Sequence, residues 1–123
     1  MTEYEALIAA LEATGIPFAE DGWDAETPLT RPAAPYGVYQ IEGGASALWT
    51  DDRPRRQTLQ GSVDVFTLSD GHTEKQSVQT ALISSGVRWY LSSRQYEDNT
   101  RLTHLEWVFY VDAHPAGGGR ANG

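Results

Sequence analysis

Apolar side chains near the start of the sequence recur at the spacing of an amphipathic helix. Four residues carry this pattern: Tyr4, Leu7, Ile8 and Leu11. Thr2 followed by Glu5 is typical of a capping box, and Gly15 supplies the left-handed residue that commonly ends a helix. The pattern therefore predicts a helix over residues 3–14.

The segment 16–35 has no such periodicity and is rich in Pro, Gly and acidic residues. This composition predicts a long acidic surface loop. Phe18 and Trp23 are its isolated aromatic residues. Their rings could attach part of the loop to the core.

Alternation of apolar and polar residues predicts strands in the middle of the chain. We expect a first strand over 36–42 that ends at Gly43-Gly44, a second over 45–50 that returns from it, and a third over 57–68. On one face of this third strand lie Leu59, Gly61, Val63 and Val65. On the opposite face lie Thr58, Gln60, Ser62 and Asp64.

A second helix and a closing hairpin are predicted in the last half of the chain. Thr73 and Gln76 have the spacing of another capping box, and Gly86 marks the expected end of the helix. Its apolar positions are Val78, Ala81 and Leu82. Strands over 87–96 and 101–112, joined by a turn at 97–99, then form an antiparallel hairpin.

These elements predict a single α+β domain over residues 1–112. Its mainly antiparallel sheet would have about four to five strands, with two helices packed on one face. Residues 113–123 show no apolar periodicity, and ordering them would cost entropy while burying nothing. We therefore expect a disordered tail there.

The last strand is apolar on both faces near its end. Trp107 and Phe109 point to one side, while Val108 and Tyr110 point to the other. Because two short helices cover about one face of such a sheet, the second face must be covered by the 16–35 loop or by another subunit.

Composition removes several classes of function. The 123 residues include nine Lys+Arg and seventeen Asp+Glu, a formal charge of −8, which argues against non-specific binding of duplex DNA. The absence of cysteine excludes disulfide scaffolds and thiolate catalysis. No apolar run approaches the ~20 residues that cross a bilayer, so we expect a cytosolic protein without a membrane partner.

The histidines give little support for chemistry. His72, His104 and His114 have no short ligand spacing, so neither a metal nor a cofactor is expected. His104 and Glu106 share a strand face and could form an imidazole–carboxylate pair, which Asp64 could join. No nucleophile or oxyanion motif accompanies them, so the sequence favours a protein that is not an enzyme.

Two alternatives remain open at this level. A small enzyme or ligand-binding α+β domain would place a pocket under the Phe18–Trp23 loop, with His104 buried beside Glu106. The second alternative concerns the charged hairpin tip over residues 50–56, which contains Asp51, Asp52, Arg53, Arg55 and Arg56. It is either a solvated turn or an arm that docks on a partner through alternating charge.

The order of elements resembles that of tail-terminator and minor tail proteins of long-tailed bacteriophages. The nearest comparison is the lambda-type minor tail protein U family. The likeness lies in the acidic loop, the PYGVYQI strand, the charged hairpin, the SVDVFTL strand, one helix and the closing WVFYVD strand. It covers roughly residues 3–112, and the length of the 16–35 loop departs from the family pattern.

This resemblance implies a structural protein, with no catalytic residues to transfer. It implies a monomer or labile oligomer in the host cytoplasm that forms a hexameric ring in the virion tail. The ring would stop polymerisation of the tail-tube protein and bind a head-completion or connector protein. DNA would pass through it without being specifically bound.

The resemblance also implies a role for the hairpin tip. By position, the tip with Asp51, Asp52, Arg53, Arg55 and Arg56 matches the hairpin that contacts neighbours in such rings. A separate hypothesis rests on the alternation of the third strand: its polar face with Gln60, Ser62 and Asp64 would line the channel of such a ring. A head–tail connector or head-closure protein is the alternative within the same class.

Overall fold

The structure is a computed structural model that describes residues 2–23, 32–50 and 53–113. Its elements, in chain order, are α1 (Glu3–Glu12), β1 (Phe18–Glu20), β2 (Tyr36–Thr50), β3 (Arg53–Thr67), α2 (His72–Ser85), β4 (Arg88–Glu97) and β5 (Leu102–Ala113). The strands form one sheet in the order β1-β2-β3-β5-β4. Only the β1–β2 pair is parallel among the described strands; the remaining pairs are antiparallel.

Helix α1 begins as the sequence predicts. The Thr2 hydroxyl accepts the Glu5 backbone N–H at 3.0 Å, and the Glu5 carboxylate accepts the Thr2 N–H at 2.9 Å. This capping box satisfies backbone donors that the first helical turn cannot pair internally. The helix ends at Glu12, and Gly15 has the expected positive φ of 85°.

Helix α2 starts by a different mechanism from the predicted one. The prediction of a Thr73–Gln76 capping box is wrong. The N-cap is Gly71, which is in a left-handed conformation and makes no side-chain cap bond. Instead, the Asp70 carboxylate accepts the His72 backbone N–H at 2.9 Å. The predicted end at Gly86 is confirmed, with φ of 83°.

A strand forms inside the segment that was expected to be a loop. Phe18–Glu20 pairs in parallel with Gly37–Tyr39, so the predicted surface course of this segment is wrong at that point. The Tyr4 hydroxyl donates to the Glu20 carboxylate at 3.0 Å, which ties β1 to α1. Three residues are too few for apolar alternation to show in the sequence.

The predicted break at Gly43-Gly44 is also wrong. Strand β2 continues through both glycines to Thr50, and it turns back only at the pairing of Thr50 with Arg53. The register shifts between Ile41 and Gly43 and again between Gly44 and Ser46. The glycines therefore lie at strand irregularities rather than at a turn, which is the other common position for glycine in a sheet.

The core lies between the helices and one face of the sheet. The sheet contributes Val63, Val65, Leu105, Trp107, Phe109 and Val111, all essentially inaccessible to solvent. The helices contribute Leu7, Leu11, Val78, Ala81 and Leu82. The indole N–H of Trp107 donates to the Gln79 side chain at 3.2 Å, so the largest core residue keeps its polar atom paired. The α+β class with two helices on one face of a mainly antiparallel sheet is confirmed.

Gly61 is packed closely against both backbone and an aromatic ring. A Cβ at Gly61 would overlap the Gln40 carbonyl oxygen and the Phe109 ring, whereas a Cβ at Gly37 would meet only the Phe18 ring. A backbone carbonyl in the middle of a sheet cannot move aside, but the side chain of a short edge strand can.

Gly61→Ala should therefore lower the free energy of unfolding by about 2–3 kcal/mol, the cost of overpacking a core. Gly37→Ala is the matched control and should cost less than half as much. Urea denaturation of both variants measures the difference. Equal losses would show that the Gly61 site relaxes as easily as the edge.

Candidate interaction surfaces

The second face of the sheet, here called the open face, lies opposite the two helices. Cross-strand register places Gln60 beside Tyr110, Ser62 beside Val108 and Asp64 beside Glu106 on this face. The structure thus brings together the three candidate channel-lining residues, as the alternation of β3 predicted. His104 and Glu106, singled out for possible chemistry, lie on the same face of β5.

A chain of polar contacts crosses the open face from β2 to β5. The Gln40 amide nitrogen lies 3.4 Å from both the Glu42 carboxylate and the Ser62 hydroxyl. Ser62 in turn donates to Asp64 Oδ2 at 3.3 Å, and Asp64 Oδ1 lies 2.8 Å from His104 Nε2. Ser62 is fully buried, so the chain supplies the partners that a buried hydroxyl requires.

His104 is the centre of this chain. Its second ring nitrogen, Nδ1, lies 3.5 Å from Glu97 Oε2, so two carboxylates on different strands flank one imidazole. The hydrogen bond that His104 donates to Asp64 raises the pKa of His104, and the charges of Asp64, Glu97 and Glu106 add to this, while burial opposes it. The side chain is 24% exposed, which leaves these charges only partly screened.

Aromatic rings stack against the same cluster. The Phe66 ring stacks on the His104 ring with centroids 4.3 Å apart and planes 18° apart. The Tyr36 ring also stacks on Phe66, with ring centroids 5.2 Å apart. Three rings from β2, β3 and β5 therefore form a row across the open face, and the row fixes the orientation of the imidazole.

The geometry of this cluster does not assemble a nucleophile. The Ser62 hydroxyl bonds to Asp64 and not to His104, and both nitrogens of His104 face carboxylates. Activation of a serine requires the imidazole to stand between the hydroxyl and the carboxylate. The arrangement acts as a cross-strand link among β3, β4 and β5.

Sequence reasoning found most members of the cluster but missed Glu97. That residue was assigned to the turn at 97–99, whereas it ends β4 and pairs with Leu102. The pairing sets it diagonally across from His104. The register of the closing hairpin, counted from its turn, was the signal that could have found it.

The open face is mainly acidic among the described residues. Its carboxylates are Glu42, Asp64, Glu97, Glu106 and Asp112, distributed over four strands. Arg88 offsets part of this charge: its guanidinium lies 3.7 Å from Asp112 and 5.6 Å from the centre of the Tyr110 ring. Anionic surfaces of this kind repel phosphate groups.

The charged hairpin tip is the end of the β2–β3 ribbon. The backbone of Arg53, Arg55 and Arg56 belongs to β3, while Asp51 and Asp52 lie outside the described residues, as do the side chains of all five. Their role in partner binding therefore stays a prediction. Of the predicted disordered tail over 113–123, Ala113 belongs to β5, where it pairs with Gln57, and residues 114–123 lie outside the described residues.

The backbone shows how far the ribbon extends. Strand β5 ends at Ala113, opposite Gln57, and β1 pairs with β2 only over Gly37–Tyr39. Within the described part of the chain, Arg53–Arg56 consequently pair with β2 alone. The ribbon extends past the rest of the sheet.

A shallow groove of about 530 Å³ lies between the two helices on the side away from the sheet. It is lined by Ala10, Ala13, Thr14, Gln76, Ser77, Thr80, Ala81 and Ser84. The groove does not include His104 or the residues beneath the Phe18–Trp23 segment. In the Phe18–Trp23 segment, the centroids of the Phe18 and Tyr39 rings lie 6.4 Å apart, and the Trp23 indole N–H donates to the Gly37 carbonyl at 3.1 Å.

The described residues contain no group of three or more metal-ligating side chains that could hold an ion. They also contain no helix with the length and apolarity needed to span a membrane.

No protein-family model matches the sequence, and no protein of curated function does so either. The fold does have solved counterparts. One is a chain of the virion of a native gene transfer agent particle. The two chains are 16% identical, superpose with a TM-score of 0.57, and each is covered over 90% of its length. At this identity the similarity shows that nearly the whole fold is shared.

The cluster predicts a pH dependence of stability. Because the pKa of His104 is raised above 6.5, its contribution is complete below that pH and is lost as the pH rises through the folded-state value. The free energy of unfolding should therefore fall over this window. Asp64→Asn should lower the pKa of His104 and flatten the dependence.

Histidine-selective NMR titration gives the pKa, and urea denaturation at several pH values gives the stability. Glu106→Gln is the matched control. It removes a nearby carboxylate that, among the described residues, is not a hydrogen-bond partner of the imidazole. A pKa of His104 that is unchanged by Asp64→Asn would contradict the assigned contact.

Proposed function

We propose that the chain is a structural subunit of a phage-type virion. Specifically, it is a tail terminator that forms a ring at the head-proximal end of the tail tube, stops growth of the tube and provides the surface that joins the head. The observation that carries the proposal is the fold shared with a gene transfer agent virion chain over 90% of both chains. The order of elements along the sequence supports the same class.

The shape of the sheet supports assembly into a ring. Closed rings need heterologous contacts, in which one part of a subunit binds a different part of its neighbour. The β2–β3 ribbon extends past its own sheet, and β4 leaves one edge unpaired among the described strands. A projecting ribbon and an unpaired strand edge are suited to such contacts.

The open face suits the wall of a channel that DNA crosses. Gln60, Asp64 and Glu106 lie there partly exposed, with Ser62 buried among them, and the described carboxylates outnumber the described cations on this face. Negative and neutral polar groups would let the duplex pass without binding it. We assign the lumen of the proposed ring to this face.

The role is tested with the purified full-length protein and the tail-tube protein of the same genome. Native mass spectrometry across protein concentration should show a ring-sized oligomer, six subunits by analogy with the family. Negative-stain images should show short tubes that carry a ring at one end.

Tubes that grow unchecked in the presence of the protein would overturn the terminator role. A ring that leaves tube growth unaffected but binds the head connector would instead assign the chain to the connector class. Heat-denatured protein is the control for non-specific effects on tube length.

Charge reversal of the hairpin tip tests the arm directly. A triple variant should weaken ring formation at least tenfold: Arg53→Glu, Arg55→Glu and Arg56→Glu. Groups on the neighbouring subunit that attract arginine would repel the new carboxylates. The melting temperature of the monomer should change little, since exposed charges contribute roughly 0–1 kcal/mol to folding.

Lys75→Glu, which reverses a charge on α2, is the control and should assemble normally. Analytical ultracentrifugation measures assembly, and calorimetry measures melting. A large loss of monomer stability in the triple variant would show that the tip serves folding rather than assembly.

A further inference from the structure

Glu97 holds together the turn between β4 and β5. Its backbone carbonyl accepts the Arg101 N–H at 2.7 Å, and its Oε1 accepts the Thr100 hydroxyl at 3.1 Å. The same hydroxyl accepts the Leu102 N–H at 3.3 Å. The conformation of the turn therefore depends on where the Glu97 carboxylate lies.

The other oxygen of this carboxylate faces the His104 ring. Glu97 Oε2 lies 3.5 Å from Nδ1, while Asp64 Oδ1 lies 2.8 Å from Nε2. Asp64 is on β3, Glu97 ends β4, and His104 is on β5 between them. The imidazole thus connects the turn to the central strand of the sheet.

The two contacts are favourable together only when the ring is charged. A charged imidazolium carries two N–H groups, but a neutral ring carries one N–H and one lone pair. The shorter contact, to Asp64, retains the hydrogen. In the neutral ring, the Nδ1 lone pair consequently faces the Glu97 carboxylate, and two electron-rich groups repel each other.

We propose that His104 is a protonation-controlled latch for the β4–β5 turn: the charged ring ties the turn to β3, and the neutral ring releases it. The charged groups that face the ring are Asp64 from β3, Glu97 from β4 and Glu106 from β5. Phe66 from β3 stacks on the face of the ring and holds it in place. This latch acts within one subunit and does not depend on the proposed assembly of subunits.

Hydrogen exchange by NMR on the full chain tests the latch. After correction for the intrinsic pH dependence of exchange, the Arg101 and Leu102 amides should lose protection as the pH rises through the titration of His104. We expect roughly a two- to fivefold fall, the size that loss of one partly exposed ion pair gives. The Gly86 amide, bonded to the Ile83 carbonyl at 3.1 Å, is the internal reference and should not change.

Two variants separate the latch from general electrostatics. Glu97→Gln should abolish the fall, because an amide can donate to the lone pair of the neutral ring. Glu106→Gln removes a carboxylate near the ring that takes no part in the turn, so the fall should persist. His104→Gln should remove the pH dependence entirely.

Three results would overturn the proposal. The turn amides of the native protein could keep constant protection across the titration of His104. The fall could persist in Glu97→Gln, or Glu106→Gln could abolish it as completely as Glu97→Gln does. Circular dichroism at each pH establishes that every variant remains folded.

Discussion

The antiparallel pairing of β3 with β5 is the constraint on which the rest of the structure depends. Each strand alternates with a period of two, and the register aligns the apolar set of one with the apolar set of the other. Val63 therefore lies beside Trp107 on the helix side, while Asp64 lies beside Glu106 on the open face. A slip of one residue would turn the carboxylates into the core, so burial itself fixes the register.

This constraint explains why the open face needs a compensating network. The side chain of Asp64 is only 16% exposed, and a half-buried carboxylate without partners would be costly. The imidazole of His104 and the hydroxyl of Ser62 supply those partners, and Phe66 shields them from one side. The network is thus a consequence of polar residues packed closely on a sheet, and its centre is a titratable group.

Sequence periodicity predicted the parts of the fold that rest on long repeating patterns. Helix α1, the alternation of β3 and the closing hairpin all have enough residues for a pattern to emerge, whereas β1 has three. The predictions for Gly43-Gly44 and for the start of α2 were wrong for another reason. Glycine and short polar residues suit both turns and strand irregularities, and tertiary pairing decides between them. Glu97 was missed because its role depends on pairing across a hairpin, which becomes visible only when the register is counted from the turn.

Folding alone does not account for the length of the β2–β3 ribbon. Both strands have fifteen residues, yet β5 accompanies β3 only as far as Gln57, and a two-stranded ribbon is marginally stable in water by itself. Over Arg53–Arg56, the outer backbone edge of β3 has no strand partner among the described residues. Charged residues at such a position also suppress indiscriminate strand pairing. Among the described strands, the part of the ribbon beyond Gln57 is therefore held by the pairing of β2 with β3 alone.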